Sequence, residues 1–125
     1  MADYRETVDY ILGIPLFAQK IGKENLSSLL CRLGNPEKAV PCIHVAGTNG
    51  KGSTCRALSQ MLMEAGYKVG LFTSPHLVSI NERIQINGVN ISDEDFVTAF
   101  ETVKEKFDVH PSFFEVMFAM AAVYF

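Results

Sequence analysis

A chain of 125 residues in which 48% are apolar and 20% charged has the composition of a folded domain, which excludes a disordered, collagenous or low-complexity segment. Lys plus Arg number 11 against 14 for Asp plus Glu, a net charge of -3 that removes the usual electrostatic case for nucleic-acid binding. Cys31, Cys42 and Cys55 have neither the density of a secreted disulfide scaffold nor the paired spacing of a zinc site, and the acidic, polar first six residues do not make a signal peptide, so a reducing cytoplasm is expected.

Tyr4, Val8, Ile11 and Leu12 recur at helical spacing and predict a first amphipathic helix over residues 4–12. Pro15 and Gly22 punctuate the next stretch, where Lys20 and Lys23 bring positive charge. A second helix over about residues 25–33 carries Leu26, Leu29, Leu30 and Leu33 on one face, and Gly34-Asn35-Pro36 stops it. Residues 41–46 read as a short strand with His44 packed or hydrogen-bonded on it, and Cys42 and Cys55 as small core fillers. A helical pattern over residues 53–64, with Ala57, Leu58, Met61 and Leu62, closes at Gly66 and leads to a strand at 68–72. Strand, helix and strand in this order predict a βαβ unit with parallel strands and a right-handed crossover.

Residues 73–82 are irregular and hold Ser74, Pro75, His76 and Asn81. Alternation runs from Arg83 to Ile91, and Asn87-Gly88 before Val89 is a strong hairpin signal. Ser92 with Asp95 marks a helix start, and Phe96, Ala99, Phe100, Val103 and Phe107 give that helix its core face. Ser112 with Glu115 is a second capping-box pattern, opening a final helix in which Glu115 is the single charge over residues 113–125. That run of 13 residues is too short for a bilayer and reads as a core helix, with Phe113, Phe114, Phe118 and Phe125 as core aromatics. Ending in so apolar an element, the chain is expected to be the front part of a longer protein, and residues 1–125 alone to be prone to self-association.

The chemistry is concentrated between the first expected strand and its helix. Gly47, Thr48, Asn49, Gly50, Lys51, Gly52, Ser53 and Thr54 form a glycine-rich loop of the kind whose successive N–H groups make a concave anion site at a helix N-terminus. Lys51 supplies a point charge for β- and γ-phosphates, and Ser53 or Thr54 a hydroxyl for phosphate or a phosphate-bound metal. The strict P-loop spacing fails, because Gly47 stands only three residues before Gly50 and Gly52 separates Lys51 from Ser53. The competing reading is a tight turn whose glycines merely permit the bend, with Lys51 solvated.

Taken together, HVAGTNGKGST at residues 44–54, LFTSPHL at 71–77, NERI at 81–84, ING at 86–88 and SFFE at 112–115 resemble the bacterial folylpolyglutamate synthases, some of which also act as dihydrofolate synthases. That family is part of the wider group of Mur-type amide ligases, and its folate branch carries a Gly where Gly52 stands here. The resemblance implies an α/β, P-loop-type ATPase domain with a parallel sheet, N-terminal helices and a small hairpin, of which residues 1–125 are the N-terminal part; the rest of that domain and a C-terminal domain lie beyond. It implies ATP and Mg2+ as cofactors and folate and L-glutamate as substrates, in a usually monomeric cytoplasmic protein without nucleic-acid or membrane partners. Phosphorylation of a folate carboxylate by ATP would give an acyl phosphate that the glutamate amine then attacks.

On the same resemblance, Lys51 and Ser74 are the catalytic candidates, Ser74 and Ser53 the magnesium candidates, and Asn81, Arg83 and Glu115 lie on the substrate side. Each has a plainer alternative: a turn hydroxyl for Ser74, a surface ion pair with Glu82 or Asp95 for Arg83, a helix cap for Glu115. A Mur-type ligase acting on a UDP-linked cell-wall precursor and a non-catalytic nucleotide-binding module are the alternatives for the whole.

Overall fold

The computed structural model describes residues 3–14, 23–45, 50–74, 76, 78–107 and 111–125. They fall into two compact units, Met1–Pro41 together with Asp93–Phe125, and Cys42–Ser92.

The first unit is helical. Helix α1 (Tyr4–Leu12) starts at Asp3, whose carboxylate accepts the Glu6 N–H at 2.7 Å. Thr7 Oγ1 donates to the Asp3 carbonyl at 2.9 Å, so its hydroxyl enters the core already satisfied. The buried face is therefore Thr7 and Ile11, while Leu12, expected inside, is exposed. Helix α2 (Lys23–Arg32) ends as Gly34 predicts: the Gly34 N–H bonds the Cys31 carbonyl at 3.0 Å and the Asn35 N–H the Leu30 carbonyl at 2.8 Å. A 3-10 turn, Pro36–Lys38, comes next.

Helix α3 (Lys51–Glu64) is in the second unit. Helix α4 (Asp93–Lys104), back in the first, buries Phe96, Val97, Ala99, Phe100 and Val103. Tyr4 meets Phe96 edge-on at 5.7 Å, and Tyr10 is tilted against Phe100 at 5.5 Å. Arg32 Nε donates to the Lys106 carbonyl at 2.7 Å, fastening the end of α2 to the chain just past α4. Helix α5 (Phe113–Tyr124) opens with the expected capping box: Glu115 accepts the Ser112 N–H at 2.9 Å and the Ser112 hydroxyl accepts the Glu115 N–H at 3.4 Å. It packs against α4, α1, α2 and the 3-10 turn, burying Phe113, Val116, Met117, Ala119, Met120 and Ala121. The expectation that all its aromatics are core fails at Phe114 and Phe125, which are exposed. None of the described helices is long and apolar enough to cross a membrane.

In the second unit, α3 packs on strand β1 (Gly70–Phe72). Leu58, Ser59 and Leu62 are drawn inward, whereas Ala57 and Met61, expected on the apolar face, are exposed. Strands β2 (Ile84–Ile86) and β3 (Val89–Asn90) complete a sheet of order β1-β2-β3. Its pairings are antiparallel, Leu71 facing Gln85 and Gln85 facing Asn90. The mixed helix-and-sheet class is as expected, but the parallel βαβ pairing is not formed among the described residues. Residues 41–45 are in no strand; Cys42 and His44 are exposed rather than packed, Cys55 is half-buried, and Ala46 lies outside the described residues. The physical reason is that β-propensity sets how a segment fits a pleated surface, not which strand it pairs with. The chain between β1 and β2 is short, and an antiparallel pair needs no crossover helix.

Asn87 and Gly88 turn the hairpin with φ of 51° and 77°, the left-handed pair of a type I′ turn. Asn87 does more than turn. Its N–H bonds the Val69 carbonyl at 2.8 Å and its Oδ1 accepts the Val69 N–H at 2.8 Å, pinning the hairpin tip to the lead-in of β1. Asn87→Gly keeps the turn and loses the side-chain bond, and is expected to lower unfolding stability by about 1 kcal/mol. Asn87→Ala also forces alanine into the left-handed region and should lose about 1 kcal/mol more, read as urea midpoints by circular dichroism.

Candidate functional site

The glycine-rich segment meets α3 at Gly50, which occupies the N-cap position with φ of 75° and gives the helix no side-chain cap. Helices α1 and α5 are capped by Asp3 and Ser112, so the start of α3 differs in leaving its first N–H groups to be satisfied from outside the helix. Lys51, Gly52, Ser53 and Thr54 form its first turn, with the Ser53 and Thr54 side chains exposed. Gly47, Thr48 and Asn49 and the Lys51 side chain lie outside the described residues.

Among the described residues, nothing requires glycine at position 52. A Cβ built there meets nothing within 4 Å among the described residues, and no left-handed φ calls for it. Glycine inside a helix is unfavourable relative to alanine by roughly 0.5–1 kcal/mol. Open space over the backbone at a helix N-terminus is what an approaching phosphate requires.

Ser74 lies two residues past the end of β1 and is exposed. Helix α3, which begins at Lys51, packs on the strand that precedes Ser74. The segment holding Ser74 is tied at both sides. The Thr73 N–H bonds the Arg83 carbonyl at 3.0 Å, and Arg83 Nε donates to His76 Nδ1 at 2.8 Å. That bond makes His76 Nδ1 an acceptor, so the ring proton sits on Nε2. Burial, and then the neighbouring guanidinium, hold the His76 pKa below its ordinary value, while burial also lowers that of Arg83.

Arg83 is only 9% exposed, so the surface-charge alternative does not describe it. Asn81, 5% exposed, donates from Nδ2 to the Ile91 carbonyl at 2.7 Å. Glu115, in the other unit, serves as the α5 cap. The 3-10 turn Ile80–Arg83 has a capping box of its own, in which Glu82 Oε2 accepts the Ser79 N–H at 2.7 Å and the Val78 N–H at 3.0 Å. The Ser79-x-x-Glu82 spacing encodes it, although it is absent from the sequence expectations. The His76–Arg83 bond has no such periodic signature.

For magnesium, the described residues contain no cluster of three or more His, Cys, Asp or Glu. Exposed hydroxyls at Ser53 and Ser74 nevertheless suit a hard cation that takes few protein ligands, keeps several waters and completes its shell with phosphate oxygens.

No family model matches the chain. It is 43% identical over 98% of its length to the dihydrofolate synthase/folylpolyglutamate synthase of Bacillus subtilis, of which it spans 30%. A solved complex of a folylpolyglutamate synthase with AMPPCP and folate superposes with a TM-score of 0.90 at 38% identity, covering 98% of this chain and 32% of that one. The Thermotoga maritima folylpolyglutamate synthase gives 0.87 at 42% identity, covering 97% and 30%. These neighbours have the Mur-ligase fold. By sequence and by fold, the chain belongs with the folylpolyglutamate and dihydrofolate synthases, and it spans about a third of their length.

The glycine at position 52 gives the site a test with two signs. Gly52→Ala is expected to raise the unfolding midpoint slightly, by about 0.5 kcal/mol of helix propensity. On the phosphate-loop expectation, the same variant should weaken Mg-ATP binding about tenfold or more by titration calorimetry, because the methyl group would occupy the anion's approach.

Proposed function

We propose that this chain provides the nucleotide-binding side of an ATP-dependent ligase that joins L-glutamate to the carboxylate of tetrahydrofolate and its polyglutamates, with dihydropteroate as a second acceptor. The observation that carries the reading is the relation to folylpolyglutamate synthases over 98% of the chain, together with an uncapped, glycine-bearing helix N-terminus at the place of the expected phosphate loop. The related complex with AMPPCP, an analogue of ATP, and folate supports both substrates. Residues 1–125 are read as part of the ATP-binding domain of a cytoplasmic enzyme.

In this reading the amides of residues 47–52, with Lys51, hold the β- and γ-phosphates, and Ser53 and Thr54 present hydroxyls to phosphate or metal. Ser53 and Ser74 would hold Mg2+, which supplies neutralisation of charge developing on the transferring oxygens. A carboxylate is a poor electrophile until phosphorylation gives it a leaving group, so the folate carboxylate attacks the γ-phosphorus and expels ADP, and the glutamate amine, losing a proton, then displaces phosphate from the acyl phosphate. Positioning and fixed positive charge carry the first step, more than proton transfer. Asn81, Arg83 and Glu115 are the substrate-side candidates, and each also holds an intramolecular bond or cap.

In the intact ligase, folate- and glutamate-dependent ADP release is expected, and Lys51→Ala should reduce it by about a thousandfold, in line with the loss of one principal transition-state charge contact. Mg-ATP binding should weaken in parallel by calorimetry. ATP turnover that depends on a UDP-linked muramyl substrate, or binding with no folate-dependent turnover, would overturn the reading.

A further inference from the structure

Residues 73–79 leave β1 and return to the 3-10 turn at Ile80–Arg83, and both ends of that excursion are held by the same dipeptide, Glu82-Arg83. Arg83 holds the leading end, through its carbonyl on the Thr73 N–H at 3.0 Å and its Nε on His76 Nδ1 at 2.8 Å. Glu82 holds the trailing end, with one carboxylate oxygen accepting from Val78 at 3.0 Å and Ser79 at 2.7 Å. Ser74 stands between the two Arg83 contacts and is exposed, whereas Arg83 is almost fully buried.

We infer that His76 and Arg83 are positioning residues that fix the Ser74 hydroxyl in place for the phosphate-bound metal, an inference that rests on the magnesium reading of Ser74. Ser74 has no helix or strand of its own to orient it, so its placement depends on what restrains its neighbours. The restraint is geometric. Thr73 continues the β1–β2 ladder opposite Arg83, and His76 adds a side-chain tether two residues beyond Ser74. A hydroxyl held only by Thr73 would sweep a wider arc, and a hard cation with few protein ligands is sensitive to that. Groups that orient a metal ligand without touching the metal commonly change metal affinity by about 10–100-fold when removed.

The test is the Mg2+ concentration giving half-maximal ligase activity in the intact enzyme, measured with kcat for Ser74→Ala, His76→Ala, His76→Asn and Glu82→Ala. His76→Ala is expected to raise that concentration on the order of tenfold. His76→Asn should restore most of it, because the amide oxygen takes the place of Nδ1 as acceptor for Arg83. Glu82→Ala opens the other end of the same segment and should shift the constant in the same direction. Amide hydrogen exchange at residues 73–79 should quicken in His76→Ala, independently of activity. If Ser74→Ala shifts the magnesium constant while His76→Ala and Glu82→Ala do not, the positioning role is overturned and the Ser74 reading stands. If Ser74→Ala leaves the constant unchanged, the Ser74 reading fails and takes this inference with it.

Discussion

The constraint on which the rest of this site depends is the open start of α3. An α-helix begins with N–H groups that have no partner inside it, and most helices answer them with a side chain at the N-cap. Asp3 does so for α1 and Ser112 for α5, but α3 begins at Gly50, which has no side chain to offer. Among the described residues no N-cap side chain answers the partial positive charge of that helix end. Gly52 and the exposed Ser53 and Thr54 are consistent with using it: a Cβ at Gly52 meets nothing within 4 Å among the described residues.

Local signals carried much of this into the sequence. Caps and turns are written in a few adjacent residues, so Gly34, Asn87-Gly88 and Ser112-x-x-Glu115 could each be read and each forms the motif its chemistry demands. Helix faces were less legible. Thr7 displaces Leu12 from the α1 core because its hydroxyl can bond back to the preceding turn, and a hydropathy pattern counts Thr as polar. Strand pairing was least legible. Residues 41–46 have β-rich chemistry, yet that chemistry does not name a partner, and the described ladder joins β1 to β2 instead.

The Asn81-Glu82-Arg83 segment shows why the site was only partly readable. Three polar residues in a row read as groups facing solvent or substrate, and two of them are buried. Burial of such groups is tolerable only when their hydrogen bonds are answered, and here Asn81 reaches Ile91 while Arg83 reaches His76. No periodicity encodes either bond, since each joins residues brought together by the return of the chain from β1 to β2. The resemblance to a ligase family located the segment, and the geometry shows what it holds.

That geometry also separates two ways in which a residue can matter to phosphoryl transfer. In the proposed reading Gly50 and Gly52 would act by what they lack, leaving room and donors for an anion, so their replacement would alter the site directly. Glu82 and Arg83 act through the backbone they fasten, and taking out a buried arginine side chain leaves lost packing as well as a freed loop. An effect seen on removing Arg83 would thus mix a folding penalty with a functional one. His76, half-buried and at the far end of the same bond, separates them: replacing its acceptor nitrogen by an amide oxygen preserves the guanidinium's partner while changing everything else about the ring. Effects that track the acceptor belong to the tether, and effects that track the ring belong to histidine itself.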